Sequence, residues 1–406
     1  MWDSETLSSA PEENVLRRLL VLALALALAG AVPASGRQVA LPSAALPSAA
    51  PSDTHALRPA VSSLVARALG PAGELRGMAL DDVGYGRATL DTALLDLPRM
   101  ADEGITSVTA YVYLYLLKDN GTDVFPGPLT PTDAELRLVS TTAARSGIAL
   151  HLMPVLIDPS GNFRGGFEPT DINAFMKSYT TQVLHYADLA QSLGSPLFYV
   201  GSENNVVATH TELWQSLIRQ VRQHYRGALS YMATAYAAPD VHFWSSLDLV
   251  AISPYFSLGT DRVPTYQRML QAWQQTHLPY LKRLTATLKK PLVFGELGYH
   301  SQEGTYEGPA SGKDATHLAT PQAQADAYAA ALDAIASAPY LYGVTWFRWG
   351  TGTVPLDTSF APNGKPAECV IAAHWSHDSA VRSQAGNPFC NMSQLDALAV
   401  ANPLAR

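Results

Sequence analysis

Residues 196–235 read PLFYVGSENNVVATHTELWQSLIRQVRQHYRGALSYMATA. An apolar run at 196–201, an amphipathic stretch closed by Gly227, and a second apolar run at 228–235 make one strand–helix–strand unit. Near-continuous apolar runs are what parallel strands buried on both faces require. The glycine supplies the left-handed residue that ends a helix. The pattern extends both ways. Strands are expected at 75–80 (LRGMAL), 106–115 (TSVTAYVYLY) and 148–156 (IALHLMPVL), then at 248–253 (DLVAIS), 291–295 (PLVFG) and 341–348 (LYGVTWFR). Helices fill the gaps. Thr132 with Glu135 forms a capping box before a run that stops at Gly147. Thr320-Pro321 offers an N-cap and a first-turn proline for a helix over 321–338. Gly104 and Gly194 close two more, as Gly227 does. Eight strands alternating with about eight helices favour an α/β fold of the (β/α)8 TIM-barrel type over a doubly wound sheet.

Composition narrows the function. The chain has 406 residues, 47% apolar and 15% charged, which excludes wholesale disorder and a coiled coil. Its formal charge of −8 argues against a nucleic-acid partner, whose phosphates need a basic face. No phosphate-cradling glycine motif, no nucleophile elbow and no H-E-x-x-H occurs. His374 and His377 beside Cys369 read as surface histidines, so no metal and no cofactor are expected.

Residues 19–32 (LLVLALALALAGAV) follow Arg17 and Arg18 and fall short of the roughly 20 residues that span a bilayer. They read as the core of a signal peptide over 1–36. Asp3, Glu5, Glu12 and Glu13 stand ahead of the arginines, so the true start is expected near Val15. Residues 37–61 are an Ala/Pro/Ser-rich linker, and 62–406 form one domain. The expected product is secreted or periplasmic, has no membrane span once the signal is removed, and is a monomer. The stretch 353–390 reads as a long loop after the eighth strand, followed by a helix near 392–402. In an exported protein, Cys369 and Cys390 within that loop are expected to pair, a bond worth about 3 kcal/mol.

Two carboxylates stand out by position. Glu203 closes the fourth strand and Glu296 the seventh, 93 residues apart. A barrel brings both strand ends to one mouth, on the face where barrel active sites lie. Carboxyls roughly 5–5.5 Å apart would suit a retaining glycosidase. Either alone reads as a solvated strand-end residue; together, among aromatics, they read as a catalytic pair. Tyr255 ends the sixth strand within reach of Glu296, and a hydrogen bond there would keep that carboxyl ionised. Trp346 and Trp349 are placed to floor a sugar subsite, with packing an equal alternative for Trp349. Arg348 at a strand end needs a carboxylate or sugar contact if buried. Tyr113, Tyr115, Phe256 and Phe294 read as barrel packing.

These pieces resemble the glycoside hydrolases of the large clan of (β/α)8 retaining enzymes, and within it family 113, the β-mannanase type. The resemblance runs over about 74–350. It rests on Asp158 to Pro169 with Asn162-Phe163-Arg164-Gly165, on Gly201-Ser202-Glu203, and on Asp248-Leu249-Val250 leading to Tyr255-Phe256. Pro291 to Tyr299 and Gly343 to Trp349 complete it. It implies Glu203 as acid/base, Glu296 as nucleophile, Tyr255 as orienting residue and Trp349 as platform. It also implies Arg164, Ser202, Asn204 and Tyr236 near a poly- or oligosaccharide substrate, β-mannan or a related glycan. Three positions depart from the pattern. Ser202 stands where the clan has Asn, Val155 follows Pro154 where a polar residue is usual, and Tyr236 replaces Trp. A non-catalytic sugar-binding barrel is the second reading.

Overall fold

In a computed structural model of the chain, residues 58–80, 88–116, 121–157, 163–312, 316–350 and 356–378 are described. The expected signal peptide, nearly all of the linker, Cys390 and the helix near 392–402 lie outside them. Eight parallel strands occupy the expected places: β1 Leu75–Leu80, β2 Ser107–Leu116, β3 Ala149–Ile157 and β4 Leu197–Ser202, then β5 Ala228–Thr234, β6 Val250–Ser253, β7 Leu292–Leu297 and β8 Leu341–Trp346. Each pairs in parallel with the next, and β1 pairs with both β2 and β8. The sheet therefore closes into a barrel. A short antiparallel arm, Val124–Pro126, extends β2 at its rim.

Alternation along the strands sorts two cores. Tyr111, Tyr113, Met153, Tyr199, Met232, Ala251 and Val293 pack inside the barrel. Val108, Leu152, Phe198, Ile252 and Phe294 face outward onto the helices. Helix α1 (Ser63–Leu69), capped by Ser62, sends Val65, Ala68 and Leu69 into the inner core beside the strand starts Leu75 and Leu197 and beside Leu249, just ahead of β6. The amino-terminal end of the barrel is thereby sealed.

The outer helices are α2 (Ala88–Asp102), α3 (Asp133–Arg145), α4 (Ile172–Leu193), α5 (Thr211–His224), α6 (Tyr266–Ala272), α7 (Leu278–Leu288) and α8 (Pro321–Ser337). The capping box at Thr132 and Glu135 is present in full. Helices α6 and α7 are joined by a π-helical segment, Trp273–His277, two residues ahead of Pro279, whose missing N–H cannot complete a regular turn. Among the described residues none of these helices is long and apolar enough to cross a membrane.

Four expectations need correction. No α-helix lies between β5 and β6; the connection is two 3₁₀ turns, Ala238–Asp240 and Trp244–Ser246. Gly227 is not left-handed. Helix α5 already ends at His224, and a side chain at Gly227 would collide with the Tyr225 hydroxyl, 2.1 Å away. Thr320 makes no side-chain cap; its hydroxyl lies 3.0 Å from that of Tyr306. The stretch after β8 is not wholly a loop, since it contains helix α9, Pro366–Trp375, with Cys369 buried on it. Seven of its ten residues are Ala, Cys, Val, Ile or Trp, so it lays an apolar surface against α8.

Helix α9 ends against α2. Gly104 takes φ +86°, and a Cβ there would sit 2.2 Å from the Trp375 carbonyl oxygen. Gly104→Ala should therefore cost more than the roughly 1–2 kcal/mol of a left-handed alanine alone. A lowered urea midpoint would show it, and an unchanged midpoint would contradict this packing.

Candidate active site

The carboxyl ends of the strands open on a cavity of about 490 Å³ that both glutamates line. Glu203 follows β4 immediately and has φ +52°, a left-handed conformation that non-glycine residues rarely hold. Its N–H donates to the Met232 carbonyl at 2.6 Å, which fixes the turn. Strain of this kind, of order 1–3 kcal/mol, persists where the surroundings over-determine it and gathers at functional sites. Glu203 is 5% exposed. One oxygen accepts from Arg164 Nη2 at 2.5 Å and the other from the Ser253 hydroxyl at the end of β6. Arg164 comes from a 3₁₀ turn after β3, Arg164–Gly166, and also donates to the Ser202 carbonyl and hydroxyl, both at 3.3 Å.

Glu296 is held differently. By strict alternation it would follow inward-facing Gly295 outward, but the β7–β8 register shifts between Phe294 and Leu297 and delivers it to the cavity. It accepts from Tyr111 at 2.5 Å on one oxygen and from Tyr255 at 2.9 Å on the other. Burial and the Glu296 charge push both phenols well above their ordinary range, so they stay protonated and donate. Burial, together with the nearby Glu203 charge, pushes Glu296 up to about 7. The Arg164 charge and the two hydroxyls pull the other way. Glu296 therefore titrates close to neutrality, where a small electrostatic change decides its state.

The expected residues divide into those that reach the cavity and those that do not. Tyr255 reaches Glu296 as expected, but burial outweighs its hydrogen bond and that carboxyl is raised, not held down. Tyr236 is 70% exposed on the rim, its ring edge-on to Phe256 at 5.5 Å. Ser202 is fully buried beneath Arg164. Asn204 is 1% exposed, with its N–H donating to the Tyr231 hydroxyl, and does not line the cavity. Trp346 and Trp349 do not floor the site. Trp346 faces outward and stacks on Tyr328 at 4.0 Å. Trp349 is buried, its indole N–H on Asp96 at 2.8 Å and its ring under Arg99. The aromatic walls are Phe347, Phe360 and Phe163 instead. Arg348 does not line the cavity and lies over the Phe347 ring. Asn162 lies outside the described residues.

Tyr111, Ser253, Phe347, Phe360 and Phe163 were not read as site residues. Tyr111, Tyr113 and Tyr115 share one face of β2, and that alternation was a usable signal. Phe347 follows outward-facing Trp346, so its inward direction was legible too.

The model of Glycoside Hydrolase Family 113 matches residues 85–363, more than half of the chain. Among solved structures, the GH113 β-mannanase AaManA from Alicyclobacillus acidocaldarius, in complex with ManMIm, is 25% identical with a TM-score of 0.66. The match covers 76% of this chain and 98% of that one. A second GH113 β-1,4-mannanase structure is 24% identical with a TM-score of 0.64, covering 75% and 99%, and supports the fold. No curated protein matches the chain. With a closed eight-stranded barrel and two glutamates on its carboxyl face, the chain belongs to glycoside hydrolase family 113.

Proposed function

We propose that this glycoside hydrolase is a retaining enzyme acting on β-mannan or a related β-linked glycan. The observation that carries the reading is the contrast between the two glutamates in one cavity. Glu296 accepts two neutral phenol donors, an arrangement that aims a carboxylate without neutralising it. Glu203 faces it with a cation and a hydroxyl. In the first step Glu203 gives its proton to the glycosidic oxygen as Glu296 attacks the anomeric carbon, forming a glycosyl-enzyme ester. Water, deprotonated by Glu203, then releases the sugar with its original configuration. Arg164 binds Glu203 as an ion pair, so before the acid step Glu203 takes up a proton from solvent as substrate hydroxyls draw that guanidinium away. The likeness to a β-mannanase favours mannose as the sugar.

A product screen on mannan, glucomannan, xylan and aryl β-glycosides tests the assignment. Mixed-length fragments from mannan support it. Binding without cleavage of any of them would favour the non-catalytic reading. Tyr255→Phe should leave KM nearly unchanged and lower kcat by about ten- to hundredfold, the worth of one hydrogen bond to a charged group. An unchanged kcat would remove Tyr255 from the mechanism.

We also propose export through residues 1–36 and a Cys369–Cys390 bond that secures the segment after β8. Mass spectrometry of native protein should find residues 1–32 missing and no titratable thiol. An intact amino terminus on the native protein would overturn the first, and two free thiols the second.

A further inference from the structure

We propose that Lys365, remote from substrate, is a positioning residue that holds Phe360 as a wall of the catalytic pocket. The inference rests on the cavity of Glu203 and Glu296 being the catalytic centre. Lys365 lies just beyond the family match, which ends at residue 363, and immediately before α9. It is fully buried. Its ammonium donates to two main-chain carbonyls, Asp357 and Ser359, each at 3.0 Å. The Asp357 carboxylate is turned away to the Ser359 N–H and hydroxyl, at 2.6 and 2.9 Å. A buried ammonium tied to carbonyls is costly unless those bonds are kept, so it fixes the segment that makes them.

That segment is held from three sides. The Ser359 carbonyl also accepts from the Ser301 N–H at 3.1 Å and from Gln324 Nε2 on α8 at 3.3 Å. Gln324 further donates to the Phe360 carbonyl at 3.1 Å and the Tyr299 carbonyl at 2.8 Å. The knot delivers the Phe360 ring onto His300 at 3.7 Å, Phe347 at 5.1 Å and Tyr255 at 6.2 Å. Tyr255 in turn donates to Glu296. A chain of direct contacts thus leads from Lys365 to the wall of the cavity and to the hydroxyl that aims one catalytic carboxylate.

The charged and titratable groups around this knot are few. Burial, only partly offset by Asp357, lowers Lys365 to about 8. Burial takes His300 down to about 4, so it is neutral wherever Lys365 titrates. The Arg348 charge also lowers His300. The Glu368 carboxylate is occupied by the Gly364 N–H and Arg99. Loss of the Lys365 proton should therefore weaken the knot as pH rises past about 8, while its neighbours keep their charge.

The test compares the full-length parent with Lys365→Met, Lys365→Arg and Phe360→Ala on a mannan oligosaccharide. Lys365→Met should raise KM and lower kcat by about tenfold each, beyond any loss of folded protein measured by calorimetry. Lys365→Arg should restore activity and carry the alkaline limb of the pH profile upward. Phe360→Ala, which removes the wall and leaves the Lys365 bonds in place, should repeat the KM change even if Lys365→Met fails to fold. Parental kcat, KM and pH limb in Lys365→Met, or an unchanged KM in Phe360→Ala, would overturn the proposal. If Glu296→Ala keeps activity, the catalytic reading fails instead, so the two failures are told apart.

Discussion

Glu296→Ala should lose roughly a thousandfold or more in kcat, because no ester to the sugar can then form. The variant leaves Tyr111 and Tyr255 pointing at a space large enough for a small anion. Added azide should enter there and attack the anomeric carbon in place of the carboxylate. The product would be a glycosyl azide of inverted configuration, since only one displacement has occurred. Nuclear magnetic resonance of that product reads the stereochemistry directly. The same replacement should raise thermal stability at pH 8. Glu296 is ionised there although burial and the neighbouring Glu203 charge oppose its ionisation, and the replacement removes that cost. The gain should shrink towards pH 5, where Glu296 in the parent is already protonated, given its titration near 7. An Ala variant with parental turnover would end the assignment. Azide product of retained configuration would reverse the roles of the two glutamates.

The strands were legible because burial on both faces leaves nothing polar to interrupt them, and this is also why the details of the site were not. Along 106–115 the odd positions carry Ser107, Thr109, Tyr111, Tyr113 and Tyr115 and the even ones mostly aliphatic residues, a difference in faces that a reading of the whole stretch as one buried run overlooks. Tyr111 was passed over for that reason, although it makes a shorter contact to Glu296 than Tyr255 does. Carboxylates at strand ends are different. Their charge has no place in a helix–sheet interface, so position alone pointed Glu203 and Glu296 to the mouth. The tryptophans failed by one residue. Trp346 continues the outward series of Val344 and Leu341, and its size suggested a platform where its direction forbids one. The knot around Lys365 could not be read at all. It joins α8, the segment after β7 and the residues before α9, contacts that depend on chain closure and leave no periodic trace.

Glu203→Ala should separate the two chemical steps instead of abolishing both. On mannan the leaving oxygen is poor and needs its proton, so turnover should fall by roughly a thousandfold, the upper part of what a positioned acid supplies. An aryl glycoside with an acidic phenol leaves without that help. Its first step survives, while hydrolysis of the ester slows for want of a base. A burst of phenol equal to the enzyme present should precede a slow steady state. Azide should speed that second phase and give a product of retained configuration, because it meets the ester from the side that water uses. The acid limb should move as well. Part of what raises Glu296 to about 7 is the Glu203 charge, and Arg164 loses its partner when Glu203 is removed. Both changes favour ionised Glu296, and an attacking carboxylate is lost as pH falls through its pKa. The acid limb for burst formation should therefore lie at lower pH in the variant than in the parent. A limb at the same or a higher pH would mean that the two carboxylates do not sense each other across the cavity.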